Sequence, residues 1–191
     1  MRNVFILLVF LLFNTCKKDS NSCSFTFSGI TFVDQAGELT GQCAGSDVDW
    51  TFSESWNSCE LKLFNKINPD SLYYLNDSLK TPNILVYPIP FKDNFVIHIN
   101  SLTSDTSLLT IKVIDKNMNI VFSLSELVSG QMAFSINANT IGFGYDKIYR
   151  MYYSLSYKSN INRYKGHGDI VRALEYPSSG LFNDYCHKIS D

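Results

Sequence analysis

Apolar and polar residues alternate with a period of two along most of the chain after residue 23. Three segments near the amino-terminal end follow this pattern, at residues 25–27, 48–52 and 59–63. Because the side chains of a β-strand point to alternate faces of the sheet, the pattern predicts three half-buried strands. Polar stretches that contain glycine lie between them, which is typical of tight turns.

The second half of the chain carries the same alternation in six segments, at residues 84–86, 95–99, 109–113, 120–124, 150–157 and 170–174. Strands spaced by about ten residues are typical of a β-sandwich. Residues 178–186 are compatible with one helical turn. The predicted fold class is therefore all-β: an antiparallel, immunoglobulin-like β-sandwich over residues 84–191 and a smaller amino-terminal β region over residues 23–64. A linker or long loop is predicted at residues 65–83.

The first residues of the chain differ from the rest. Arg2 precedes an unbroken apolar run at residues 4–13, and Cys16 follows this run closely. Ten apolar residues are too few to cross a bilayer as a helix, which needs about 20. The run therefore predicts a secretory signal peptide.

Residues 12–16, Leu-Phe-Asn-Thr-Cys, resemble a relaxed lipobox of bacterial lipoproteins. Lys17, Lys18 and Asp19 resemble the short charged tract that follows the lipidated cysteine in surface lipoproteins of the Bacteroidota. The resemblance implies a signal peptide at residues 1–15, lipid attachment at Cys16 and a tether at residues 16–22. It also implies a lipid-anchored, surface-exposed protein of the outer membrane. The alternative is a soluble secreted protein with an incidental cysteine.

Four further cysteines remain, namely Cys23, Cys43, Cys59 and Cys186. An even number in an exported chain predicts two disulfides, and four cysteines allow three pairings. The shortest loops would join Cys43 to Cys59 and leave Cys23 for Cys186, but the sequence does not select a pairing. A metal site is not expected, because no Cys-x-x-Cys pair and no zinc-like histidine spacing occurs. No cofactor is expected either.

The stretch at residues 86–100, VYPIPFKDNFVIHIN, contains Pro88 and Pro90 between two apolar strands. Proline fixes φ and removes a backbone donor, so this segment cannot be an interior strand. It must form an edge, a bulge or a crossing between sheets, and a crossing within a sandwich is the natural use of such a kink.

The same stretch, together with the strand, turn and strand at residues 109–121, resembles the immunoglobulin-like sorting domain of type IX secretion. That family shows Tyr-Pro-Asn-Pro followed by Asp-Asn, and here Ile89 stands in place of the asparagine. We take the resemblance as an indication of fold. A sorting role is not expected, because 70 residues follow Val121 and the lipid anchor already provides a route out of the cell.

Residues 166–169, Gly-His-Gly-Asp, contain the strongest hint of catalysis in the chain. His167 and Asp169 could form a proton relay, but no nucleophile is spaced for a Ser-His-Asp constellation. The glycines instead predict a turn before a strand at residues 170–174. Asp47 and Asp49 lack the further oxygen ligands of a calcium loop and are expected to face solvent.

Several tyrosines near residues 149–164 place large rings on both faces of one strand. Tyr152 and Tyr164 are the candidates for an exposed binding surface, for a sugar or a protein partner. With a net charge of −2 and no basic cluster, nucleic acid is not an expected partner.

These features together predict a non-enzymatic lipoprotein that acts as an accessory or adhesion component of an outer-membrane protein assembly. The alternatives are a glycan-binding module of a nutrient-uptake system and, third, a surface hydrolase.

Overall fold

A computed structural model describes residues 23, 25, 29–43, 50–52, 56–64, 83–101, 106–157, 163–177 and 182–190. Their strands are β1 (Ile30–Val33), β2 (Leu39–Cys43), β3 (Thr51–Phe52), β4 (Asn83–Tyr87), β5 (Asn94–Asn100), β6 (Ser107–Ile114), β7 (Ile120–Val128), β8 (Gln131–Asn137), β9 (Lys147–Tyr157) and β10 (Arg163–Arg172). The helices are α1 (Ser58–Lys62), α2 (Ala138–Ile141) and α3 (Phe182–Ser190).

The strands form three antiparallel sheets. One sheet has five strands in the order β3-β10-β9-β6-β7, the second has three in the order β4-β5-β8, and β1 and β2 form a separate hairpin. The predicted fold class, an all-β antiparallel sandwich, is confirmed. β3 belongs to the five-stranded sheet, so a strand from the amino-terminal segment takes part in the larger sheet.

The main core is formed by alternate side chains of the two larger sheets. Phe95, Ile97 and Ile99 of β5 are fully buried, as are Leu109 and Ile111 of β6. They belong to one continuous cluster that also includes apolar residues of β9 and β10. Each such side chain stabilises the fold by about 1.5–3 kcal/mol. The alternation of apolar and polar residues therefore predicts correctly which side chains of these strands lie in the core.

A second, smaller cluster lies on the opposite face of the five-stranded sheet. It consists of Trp56, Phe64, Ile114 and Tyr152. Tyr152 follows Met151 and precedes Tyr153 of the main core, so the two faces of β9 are both covered by apolar residues. The segment around α1 provides this cover.

The strand predicted at residues 59–63 is wrong, because this segment contains helix α1. Asn57 caps the helix, and its Oδ1 accepts hydrogen bonds from the backbone N–H groups of Cys59 at 2.8 Å and Glu60 at 3.0 Å. Glu60 Oε2 in turn accepts from the Asn57 N–H at 2.6 Å. This capping box satisfies the free donors of the first turn and outweighs the alternation of apolar residues.

The stretch with Pro88 and Pro90 is not an interior strand, as predicted, but it does not cross between the two sheets. It connects β4 to β5, which are neighbours in one sheet. Ile89 exchanges backbone hydrogen bonds with Val33 of β1 at 2.9 and 2.8 Å. Phe91 pairs with β10 of the five-stranded sheet. The kink therefore joins three parts of the fold at one end of the sandwich.

The turn predicted at residues 166–169 is also wrong, because β10 runs without interruption from Arg163 to Arg172. Gly168 does not have a positive φ; its role is steric. A Cβ at this position would lie 2.6 Å from Cε2 of the Trp50 indole and closer still to Cδ2. Glycine is therefore required where the indole lies against the strand.

The helical turn expected near the carboxyl end is helix α3. The sequence pattern missed β1 and β2, which lie where glycine-containing turns were predicted. It also missed β8, whose side chains are mostly exposed or half-buried. Residues 65–82 of the predicted linker lie outside the described residues, and residue 83 begins β4.

Two disulfides are present, as predicted. Cys23 is bonded to Cys59 in α1, and Cys43 at the end of β2 is bonded to Cys186 in α3. This is not the pairing with the shortest loops. The observed pairing ties residue 23 to the helix beside the smaller cluster, and it ties the β1–β2 hairpin to the last helix.

Candidate functional site

The sites predicted nearest the amino terminus cannot be compared with the structure. Cys16 and its tether lie outside the described residues, and so do Asp47 and Asp49. Among the helices that are described, none has both the length and the apolar character needed to cross a bilayer.

His167 and Asp169 lie on neighbouring positions of one face of β10, under the segment around α1. Asp169 is fully buried and accepts two hydrogen bonds from the Arg150 guanidinium, from Nε at 2.8 Å and from Nη2 at 2.9 Å. The His167 ring lies 5.7 Å from the Tyr152 ring, centroid to centroid. The ion pair links β10 to β9, and neither residue lines a described cavity.

The Tyr152 hydroxyl continues this polar network toward α1. It donates a hydrogen bond to Glu60 Oε1 at 2.8 Å. Burial and the nearby Glu60 carboxylate raise the pKa of Tyr152 above its ordinary value. Burial lowers the pKa of Lys165, whose ammonium group lies 5.0 Å from the centre of the Trp56 ring, and Glu60 only partly opposes this. The network holds the segment around α1 on the sheet.

The expectation that Tyr152 is an exposed binding aromatic is wrong. Its side chain is fully buried in the smaller cluster, where Trp56 meets it edge to face at 5.6 Å. Tyr164 is half-buried and packs against the main core. The rings on both faces of β9 therefore serve packing. The face that carries Tyr152 was expected to be exposed, but the segment around α1 covers it.

An exposed apolar pair lies at the edge of the five-stranded sheet. Leu108 of β6 and Leu127 of β7 are direct partners in the register, and they are 42% and 66% exposed. They share the face opposite to the buried Leu109. β7 has nine residues, contains no proline and carries one charged residue, Glu126. In the described part of the chain no strand pairs with its outer edge. We call this region the β7 edge.

Several loops meet at one end of the sandwich, around the buried guanidinium of Arg172. Its Nε donates to the Lys92 carbonyl at 2.8 Å and its Nη1 to the Phe143 carbonyl at 2.5 Å. Its Nη2 donates to Asn139 Oδ1 and to the Tyr145 hydroxyl. One side chain therefore fixes the proline-containing connection, α2 and the loop before β9 relative to one another.

The segment after Arg172 forms a ridge between two cavities at this end. We call residues 174–177 the ridge. Leu174 and Tyr176 are 54% and 48% exposed. The single hydrogen of the Tyr176 hydroxyl is shared between two acceptors, the carbonyls of Val33 at 3.2 Å and Ile89 at 3.4 Å. These bonds fix the ring although half of it faces solvent.

The two cavities have volumes of about 350 and 520 Å³, and Leu174, Glu175 and Tyr176 line both of them. The wall of the smaller cavity also contains Pro88, Pro90 and Lys92. The larger one is bounded by α3, with Asp184 and Tyr185. These volumes fall in the range of about 300–1,000 Å³ that small-molecule sites occupy.

No group of three or more potential metal ligands occurs among the residues that the structure describes. The larger cavity does contain three carboxylates, those of Asp146, Glu175 and Asp184. Asp146 is engaged by the Lys188 ammonium at 2.7 Å. The arrangement offers acceptors and donors for hydrogen bonds beside aromatic and aliphatic walls.

Sequence reasoning missed both exposed regions. The alternation of the sequence contained a signal for the β7 edge. It places Leu108 and Leu127 on the face opposite to the buried residues of their strands. No alternation pattern points to the ridge or to Arg172. The roles of Arg172, Leu174 and Tyr176 depend on loops that are distant in sequence. Only the fold brings these loops together.

Comparison of the sequence with protein-family models and with curated proteins found no match. Among solved structures, the chain resembles a β-glucuronidase of Bacteroides uniformis, with 12% identity and a TM-score of 0.31. It also resembles β-glucuronidase 2 of Bacteroides uniformis, covalently bound to cyclophellitol-6-carboxylate aziridine, with 12% identity and a TM-score of 0.32. Each match covers 48% of this chain and 13% of the other. This likeness is too low to indicate a shared fold or function.

Proposed function

We propose that this protein is a lipid-anchored, non-enzymatic protein of the outer membrane that binds a membrane protein partner through the β7 edge. The lipobox-like segment ending at Cys16 supports the anchor. The two disulfides are compatible with an exported protein, since they persist in oxidising compartments. The role is that of an accessory or adhesion component of an outer-membrane assembly.

The proposal of a protein partner rests on one observation, the exposed Leu108–Leu127 pair beside a long strand edge. Natural proteins protect such edges with lysine, proline, bulges or covering segments, because an open edge recruits other strands. β7 carries neither lysine nor proline, and its register shift lies at the Ile120 end, away from the two leucines. An extended segment of a partner can pair with this edge and place an apolar side chain on the two leucines.

The occupant is therefore an extended polypeptide segment with an apolar residue at alternate positions. Main-chain hydrogen bonds supply affinity in this mode of binding, and side-chain pockets supply specificity. Glu126 is the charged side chain of β7, so a basic residue beside that position favours the partner.

The test is a mild cross-linking pull-down from solubilised outer membranes with the full chain and two variants. Leu127→Lys places a charge on the β7 edge, and Leu39→Lys is the matched control at a residue that is 68% exposed on the β1–β2 hairpin. We expect wild type and the control to recover the same outer-membrane protein, and Leu127→Lys to recover about tenfold less. Equal recovery with both variants would refute the β7 edge as the interface.

A further inference from the structure

We infer that the ridge and its two cavities bind a neutral oligosaccharide. This inference goes beyond the membrane anchor and the protein partner and does not depend on either, because sugar binding can be measured on the isolated protein. The ridge lies at the loop end around Arg172, and the β7 edge lies on another part of the sandwich.

The ring of Tyr176 is both exposed and held in place. A sugar presents an apolar C–H face, and an exposed aromatic ring is the usual surface on which such a face packs. Tyr176 is 48% exposed, yet its hydroxyl shares its hydrogen between two backbone carbonyls. A ring that is already held in place loses little conformational entropy when a ligand packs on it.

Charged side chains of both signs surround that ring. Glu175 lies in the wall of both cavities, Lys92 in the smaller one, and Asp184 and Lys188 in the larger one. Sugar hydroxyls both donate and accept, and these side chains offer carboxylate acceptors and ammonium donors on each side of the ridge. Each cavity therefore combines an apolar wall with both kinds of polar partner.

The charges in the two cavities nearly balance, so a neutral ligand fits them better than a charged one. The two cavities together contain three carboxylates and two ammonium groups, and the Asp146 carboxylate is already paired with Lys188 at 2.7 Å. The net charge that remains in the cavities is too small to attract a polycation or a polyanion selectively. A neutral, polyhydroxylated chain that crosses the ridge and enters both cavities satisfies the groups present.

The test uses isothermal titration calorimetry on the purified full chain in detergent. The probes are neutral hexasaccharides of glucose, xylose, mannose or galactose, with hexalysine and a hexagalacturonate as charged comparisons. We expect at least one neutral probe to bind with a Kd of about 1 mM or lower. Tyr176→Ala should weaken that binding about tenfold.

A second variant and a control guard against loss of folding. Glu175→Gln keeps the size of an exposed side chain, and it should weaken binding about threefold, whereas Glu126→Gln on the β7 edge should leave the Kd unchanged. Absence of binding across the neutral probes, tighter binding of either charged probe, or a Kd that both ridge variants leave unchanged would overturn the inference.

Discussion

Arg150 and Asp169 place two opposite charges inside the protein, between β9, β10 and the segment around α1. Burial alone would lower the pKa of Arg150, but the hydrogen bonds and attraction from Asp169 outweigh it and raise that pKa above its ordinary value. The guanidinium also lies over the Phe25 ring at 4.7 Å. This pair explains how a carboxylate can stand fully buried in the middle of a strand.

Asp169→Asn should destabilise the fold strongly, because it leaves the buried Arg150 charge without its counter-ion. We expect a loss of about 3–5 kcal/mol in the free energy of unfolding. Asp146→Asn is the matched control at a more exposed ion pair and should cost less than about 1 kcal/mol. Urea denaturation of the two variants measures both values, and similar losses would contradict the structural role of Asp169.

Gly168→Ala should also destabilise the fold, here through overlap of the new Cβ with the Trp50 indole. Overpacking of this kind costs about 1–3 kcal/mol. In a Trp50→Ala background the same substitution should cost nearly nothing, because the overlapping ring is gone. A double-mutant cycle by urea denaturation gives the coupling energy. Additive losses would show that Gly168 is needed for another reason.

Among the elements, those with regular alternation and a buried face could be predicted from the sequence. β5, β6 and β9 follow this rule, and each contributes buried residues to the main core. α1 could not be predicted from alternation, because five residues in a helix show too little of the helical period. Its signal was the Asn57–Glu60 capping box.

Residues 163–169 of β10 were missed for a different reason. Lys165 and Asp169 are buried there although both are charged, since the segment around α1 covers them and Arg150 neutralises Asp169. The exposed ridge could not be predicted either, because its cavities arise from loops and a helix that are brought together only in the fold. Sequence patterns therefore predict which residues of a strand are buried, but they do not predict cavities between segments that are distant in sequence.

The two disulfides should contribute unequally to stability. A chain-entropy treatment gives about 4 kcal/mol for Cys23–Cys59, with a separation of 36 residues, and about 5 kcal/mol for Cys43–Cys186, with 143. Replacing each pair with serine should therefore cost slightly more at Cys43–Cys186. Urea denaturation of the two double variants checks this order. A larger loss at Cys23–Cys59 would show that holding α1 on the sheet matters more than loop length.

At the scale of the whole molecule, the proposed anchor lies close in sequence to a fixed point of the fold. Cys16 precedes Cys23 by seven residues, and Cys23 is bonded to α1. Seven residues span at most about 25 Å when fully extended. If Cys16 is lipidated, Cys23 must therefore lie within that distance of the bilayer surface, and the Cα of Cys59 in α1 lies only a further 5.9 Å from that of Cys23.

Cys16→Ser should release the protein from membranes or leave it as an uncleaved precursor, because the acylated residue is lost. Cys23→Ser is the control, since it removes a cysteine of the same region without removing the proposed attachment site. Membrane fractionation and the intact mass of the mature chain measure the effect. Unchanged membrane partitioning and mass in Cys16→Ser would contradict lipidation.

The most direct measurement of the central proposal is site-specific photo-cross-linking in intact cells. A photoreactive residue is placed at Leu127 on the β7 edge or, as a control, at Leu39 on the hairpin, with Cys16 retained in both chains. The proposed function predicts a cross-link from position 127 to one outer-membrane protein, and no cross-link to that protein from position 39. Cross-links to that protein from both positions alike, or from neither, would contradict a partner bound at the β7 edge.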